Sequence, residues 1–193
     1  MTIRQIIIVP YNPQWPHEFD QLAAVLRHAL GDLALRIDHI GSTAVPNLAA
    51  KDVIDIQVTV HDLVPEVEAR LATIGYARQP HLVADHRPPT VEGPDSEWDK
   101  WVFKPAPAQR PTNLHVRVAG RANQRYPLLF RDYLRSHPVA AQAYDLIKQE
   151  LARANSTDWD LYYAVKDPVC DVIWDAAEAW AQATGWTLPP SDG

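Results

Sequence analysis

The residues of this chain best suited to chemistry crowd into one stretch, His39-Ile-Gly-Ser-Thr-Ala-Val-Pro-Asn-Leu-Ala-Ala-Lys-Asp-Val-Ile-Asp-Ile-Gln-Val58. Leu35–Ile40 alternates like a half-buried strand and stops at Gly41-Ser42, where the chain turns and a short helix can begin. Free backbone N–H groups at such a start, with the positive end of the helix dipole, favour an anion, so Gly41, Ser42 and Thr43 are candidate phosphate contacts. Val53–Val60 reads as the next strand, apolar except on the face that carries Asp55, Gln57 and Thr59. An unpaired carboxylate on a buried strand is costly, which makes Asp55 a site residue aimed at the phosphates.

The elements that must position these groups follow from periodicity. Trp15–Leu30 has a proline in its first turn, Phe19, Leu22, Val25, Leu26 and Leu30 near one face, and Gly31 to end it. Asp62 is placed to cap a helix through Leu63–Ile74, closed by Gly75. Residues 77–112 hold seven of the 17 prolines, so they must be loop with short strands at most. Two readings of that loop stand: Trp98, Lys100, Trp101 and Lys104 close over a ligand, or it is a solvent-side hairpin with aromatic packing. Its His81, Asp85 and His86 sit in a loop, offer no two histidines at helical i, i+4 spacing, and read as a solvated turn rather than a metal site. Asn113–Ala119 returns to strand alternation and belongs beside the Asp55 strand, with Asn113, His115 and Arg117 on one face. Arg125–Ser136, Val139–Asn155 and Pro168–Thr184 read as helices, the last with Val169, Val172, Ile173, Ala176 and Trp180 at helical spacing. Arg131-Asp132 reads as a structural ion pair.

The expected fold class is α/β (α+β): a mixed-sheet core over residues 1–120, a helical C-terminal part over 121–184 and a tail over 185–193, one domain in all. The order strand, Gly-Ser, short helix, carboxylate strand resembles the nucleotidyltransferase layout. The whole segment, with Tyr11-Asn-Pro-Gln-Trp-Pro16, Asn113-Leu-His-Val-Arg117, Leu129-Phe-Arg-Asp-Tyr-Leu134 and Tyr162-Tyr-Ala-Val-Lys166, closely resembles the GrpB-like family over about residues 8–182. It is most similar in flavour to the GrpB-like domain behind the kinase domain of actinobacterial dephospho-CoA kinases. The chain has no Gly-x-x-x-x-Gly-Lys-Ser/Thr loop of its own, so kinase activity does not transfer. Asn47 stands where the family usually has glycine, and Asn is the next best residue for a left-handed turn.

The resemblance is to a group with the nucleotidyltransferase fold and largely unassigned activity; nucleotidyl transfer, one activity that fold implies, takes Mg²⁺ or Mn²⁺ in an oxygen-rich site. Asp55 is then a catalytic residue and the metal ligand. The second acid of the usual motif is replaced by Gln57, whose amide oxygen carries no charge. The third place falls to His115, an imidazole better suited to zinc, nickel or iron, read here as catalytic base or substrate contact. Lys51 or Arg117 adds charge, and His39 orients the Gly41 turn or touches ligand. Asn113 joins them on the cleft face, and Tyr162 and Lys166, one helical turn apart, can reach a phosphate together. Three functions fit: a transferase acting on a small molecule, a nucleotide- or phosphometabolite-binding module, and an accessory domain that assists a partner such as a dephospho-CoA kinase.

Composition narrows the partners. A net charge of −6 over 193 residues argues against a sequence-independent grip on nucleic acid, which takes a basic stripe. No apolar run approaches the roughly 20 residues that cross a bilayer, and Ile6–Val9 is too short for a signal-peptide core, so a cytoplasmic location is expected. The single cysteine, Cys170, cannot form an internal disulfide and reads as a small buried residue. Arginine outnumbers lysine 13 to 5.

Overall fold

A computed structural model describes residues 5–193; the first four residues of the expected domain lie outside the described residues. Helix α1 spans Trp15–Leu30, as its periodicity predicts. Val25 is a correction: it is 51% exposed, and Ala23 takes its place in the buried stripe with Trp15, Phe19, Leu26 and Leu30. Strand β1 (Arg36–Ile40) leads through Gly41 into a single 3-10 turn, Ser42–Ala44, and then to β2 (Ile54–Val60). Helix α2 covers only Pro65–Thr73, and Val64 rather than Asp62 occupies its N-cap position. The reason is local: proline fixes its own backbone for the first helical position and forces the residue before it into extended conformation, here φ −102° and ψ 147° at Val64.

The proline-rich region supplies two short strands, β3 (Tyr76–Arg78) and β4 (Trp101–Pro105), before β5 (Thr112–Val118). The five strands are ordered β1-β2-β5-β4-β3, with β2 and β5 parallel and every other neighbour antiparallel. Asp55 therefore lies opposite Asn113, Gln57 opposite His115, and Thr59 opposite Arg117, in the adjacency expected. The architecture is the expected mixed α/β sheet, with the strand, Gly-Ser turn and carboxylate strand in the order read from the sequence.

Strand alternation separates the two faces of this sheet. Ile37, Ile54, Ile56, Val58, Val60, Phe103, Leu114 and Val116 point one way and form the main core with α1 and α2. The opposite face carries Asp55, Gln57, His115 and Arg117, and three further helices cover it: α3 (Ala122–Ser136), α4 (Pro138–Ala154) and α5 (Trp159–Thr184). The helical half is bound to the sheet half by a shared second core, in which Val45 and Leu48 from the segment after the turn pack against Leu134, Tyr144, Cys170 and Ile173.

Helix α5 begins nine residues before the expected start at Pro168. Asp158 caps it by accepting the Leu161 N–H at 2.8 Å, and burial of Tyr162, Cys170 and Ile173 carries the helix through the internal proline. Val172, placed on the packing face by its spacing, is 72% exposed. The 185–193 segment is not a loose tail: Ser191 Oγ, Asp192 Oδ2 and the Gly193 N–H bond the backbone of Ile37 and His39 along the free edge of β1. Arg131 and Asp132 form the expected ion pair at 2.8 Å, and Arg131 also donates to the His39 carbonyl.

The long 79–100 loop is anchored by charge. Asp85 accepts from Arg117 Nε at 2.8 Å and Arg117 Nη2 at 2.9 Å, pairs with Lys100 at 2.5 Å, and accepts from Asn123 Nδ2 at 3.1 Å. Asp85 is therefore a half-buried hub and not part of a solvated turn. Trp98 is buried edge-on against Tyr126, and Trp101 lies beneath the Arg78 guanidinium, so both tryptophans serve packing. Burial alone would raise the Asp85 carboxyl; the Arg117 guanidinium outweighs it and holds the group well below the ordinary carboxylate range. Asp85→Asn strands the buried Arg117 charge and is predicted to cost about 3 kcal/mol in urea unfolding at pH 7. Because the native carboxyl is depressed, its stabilisation is complete above about pH 4 and fades below it, so the deficit should shrink in acid. A loss under about 0.5 kcal/mol, the range of ordinary surface changes, would contradict this account of the loop.

Candidate functional site

A pocket of about 550 Å³ lies between the polar face of the sheet and α3, α4 and α5, within the size range of small-molecule sites. Its floor begins at Gly41. This residue has φ 70° and ψ −170°, a region open essentially only to glycine. An added Cβ would stand 2.5 Å from Asp55 Oδ2 and 3.0 Å from Asp55 Cβ. The bare Cα thus lets the turn lie directly on the Asp55 carboxylate. Asp55 Oδ1 accepts from Asn113 Nδ2, and His115 Nε2 lies 4.0 Å away. Burial raises the Asp55 carboxyl, and the Asn113 hydrogen bond and nearby lysines partly offset that. Burial likewise holds the His115 imidazole well below its ordinary range, helped by Arg117 and Lys100, so it is neutral. Its Nδ1 is buried without a hydrogen-bond partner among the described residues.

Of the expected site residues, Gly41, Ser42, Lys51, Asp55, Asn113, His115, Tyr162 and Lys166 line this pocket. Four do not. His39 projects from the other face of β1, as alternation dictates, stacks on Phe19 at 4.8 Å and bonds Thr43 Oγ1 at 3.0 Å. Buried there beside Arg135 and Arg131, its imidazole is pushed down to about 3 and is neutral. His39 and Thr43 brace the turn from behind. Gln57 is fully buried with its amide spent, since Oε1 accepts from Arg117 Nη1 at 2.8 Å and Nε2 donates to the Gln124 carbonyl at 2.9 Å. Arg117 is committed to Asp85 and Gln57. These four residues support the site; they do not face it.

That arrangement bears on the metal. Asp55 is the one carboxylate of the expected motif in place, and the Gln57 oxygen that would stand second is turned to Arg117. Among the described residues no group of three His, Cys, Asp or Glu side chains is placed to hold a metal ion. The donor set does not fit a two-metal Mg²⁺ or Mn²⁺ site.

What the pocket does hold is lysine. Lys51, Lys100, Lys148 and Lys166 line it, four of the chain's five lysines, whereas no arginine among the described residues does. They come from the segment before β2, the long loop, α4 and α5. Lys51 sits within 5.0–5.5 Å of the Trp159, Tyr162 and Tyr163 rings. Lys148 is 2% exposed; its Nζ donates to the Ala49 carbonyl and lies 3.0 Å from Ser42 Oγ. Sequence reasoning missed it. The signal was present, because Tyr144, Lys148 and Ala152 recur every four residues as the buried stripe of α4, where a lysine has no packing rationale. Tyr126, Phe130, Tyr144 and Leu82 add apolar wall, and Cys170 lies buried at its edge, 3.6 Å from Lys166 Nζ.

Gly41→Ala is predicted to cost about 1–3 kcal/mol in chemical denaturation, from backbone strain and the clash with Asp55. It should also push the turn off Asp55 and weaken any ligand held there. A variant as stable as the parent would show that the turn does not rest on the carboxylate.

Comparison with known proteins identifies the family. The family model described as GrpB protein matches residues 5–176. A dephospho-CoA kinase of Mycolicibacterium paratuberculosis is 40% identical over 93% of this chain and 47% of its own length. The chain thus spans about half the length of the kinases it matches. A UPF0157 protein of Deinococcus radiodurans is 36% identical over 90% of this chain and 83% of its own. The crystal structure of the conserved protein GrpB from Enterococcus faecalis superposes with a TM-score of 0.72 at 30% identity, covering 90% of this chain and 99% of that one. On the family match and these relatives, the chain belongs to the GrpB family.

Proposed function

We propose that the pocket binds a nucleotide or another phosphorylated small molecule. The observation that carries this reading is the gathering of four ammonium groups from four parts of the chain into one largely apolar cavity. Bringing like charges together out of water is unfavourable unless an anion joins them. Asp55, Asp85 and Asp167 also line the pocket, but Asp85 is shared with Arg117, which leaves positive charge in excess. The aromatic wall suits a flat ring, and the Gly41–Ser42 turn beside Lys148 suits a phosphoryl group. Transfer chemistry is less well supported than binding, because the expected acid pair is reduced to Asp55.

A second reading, assistance to a dephospho-CoA kinase, draws on the likeness of this chain to half of such enzymes. A thermal-shift screen separates the two. It would use nucleoside triphosphates, coenzyme A precursors, sugar phosphates and inorganic triphosphate, each with and without Mg²⁺ or Mn²⁺. A ligand present at 100 times its Kd stabilises the folded chain by about 2.7 kcal/mol. At about 2–4 °C per kcal/mol for a chain of this size, the Tm should rise by about 5–10 °C. The rise should vanish in a Lys51→Gln, Lys166→Gln double variant. A flat screen, together with a stable complex with a separately expressed dephospho-CoA kinase, would favour the accessory role.

A further inference from the structure

The strongest unexplained feature of the pocket is Lys148. Its ammonium is carried on the buried stripe of α4, rests 4.7 Å from the centre of the Tyr144 ring, and ends at Ser42 Oγ and the Ala49 carbonyl. A lysine placed for stability would be paired with a carboxylate. The nearest one, Asp145 on the same helix, pairs with it only at 4.0 Å, and its Oδ1 is buried with no hydrogen-bond partner among the described residues. The ion pair is therefore a long one, and Lys148 Nζ ends at the phosphate turn. From the other elements the groups around it are Lys51, ahead of β2, and Lys166 and Cys170 on α5, so it meets two further cations.

We propose that Lys148 is the receptor for the phosphoryl group of the ligand: its ammonium rests on Ser42 Oγ and the Ala49 carbonyl when the pocket is empty and turns to the anion when it binds. Geometry and electrostatics agree. Neutral lysine can donate to Ala49 and accept from the Ser42 hydroxyl, whereas a protonated one offers three donors and meets Ser42 Oγ as acceptor. Burial first, and then Lys166 and Lys51 against the pull of Asp145, bring its ammonium down to about 8. An anion at Ser42 restores it upward. The sign follows: binding is full strength below about pH 8, and above it affinity falls by up to tenfold per pH unit until the bound-state value is reached. Arginine stays charged at all working pH and cannot be switched.

The inference rests on the pocket being a phosphate site, and one experiment tells the two apart. With five lysines in the chain, ¹³C-lysine labelling gives five side-chain signals, and Lys148→Arg identifies the one of interest. Inorganic sulfate is the probe, because it is a tetrahedral dianion that does not titrate between pH 6 and 10; chloride keeps ionic strength constant. The Lys148 signal should titrate near pH 8 without sulfate and about one unit or more higher at saturation. Sulfate affinity should decline above pH 8 in the parent and stay flat in Lys148→Arg. If sulfate moves the signals of Lys51 and Lys166 but not that of Lys148, the pocket takes anions and the role of Lys148 is overturned alone. If no pocket lysine responds, the phosphate reading falls and takes this inference with it.

Discussion

Crowding ammonium groups into a cavity with apolar walls is the constraint around which this molecule is arranged. Each group loses hydration and repels the others, and each has a separate device that offsets the cost. Lys51 lies among three aromatic rings, a cation–π arrangement that stabilises charge without neutralising it. Lys100 is paired with Asp85, Lys166 lies 3.7 Å from Asp167, and Lys148 has a carbonyl and a hydroxyl. Lys148, with Asp145 also at 4.0 Å, stands at the Gly41–Ser42 turn, where the fold brings strand end, carboxylate and helix α4 together.

The sheet makes that arrangement possible by keeping its faces apart. One face is closed by α1 and α2 over an aliphatic core, and the other carries a chain of polar contacts from Asp85 to Arg117, Gln57 and the Gln124 carbonyl. These contacts join the long loop, two central strands and α3 beneath the pocket. Residues that a motif would assign to chemistry are here used to hold the floor in place. The fixed floor matters for function, since the turn and the lysines come from elements far apart in the chain and act together only if their spacing is kept.

Much of this was legible in the sequence, for physical reasons. The helix Trp15–Leu30, the strand and turn around Gly41, and the adjacency of the Asp55 and His115 strands follow from strong periodicity bounded by glycine. The boundaries that failed depend on tertiary context: Pro168 is carried inside α5 by packing on either side, and Asp62 lost its capping role to the backbone preference around Pro65. The site was half legible. Type and spacing found Asp55, Ser42, Lys51 and Lys166. They did not find Asp85, whose partner Arg117 lies 32 residues away, or Lys148, which looks like a solvent lysine until the stripe of α4 is drawn. Of the two roles open to His39, orienting the Gly41 turn and touching ligand, the structure favours the first, because strand alternation sends its side chain to the opposite face, where it bonds Thr43.

The central claim is that the Gly41–Ser42 turn and Lys148 receive one anion between them. The most direct measurement is a crystal structure of the chain grown with selenate, read by anomalous scattering. The account predicts a peak within hydrogen-bond distance of both Ser42 Oγ and Lys148 Nζ, with Lys148 drawn off the Ala49 carbonyl. Selenate bound only elsewhere, with Lys148 still on Ser42 and Ala49, would contradict it.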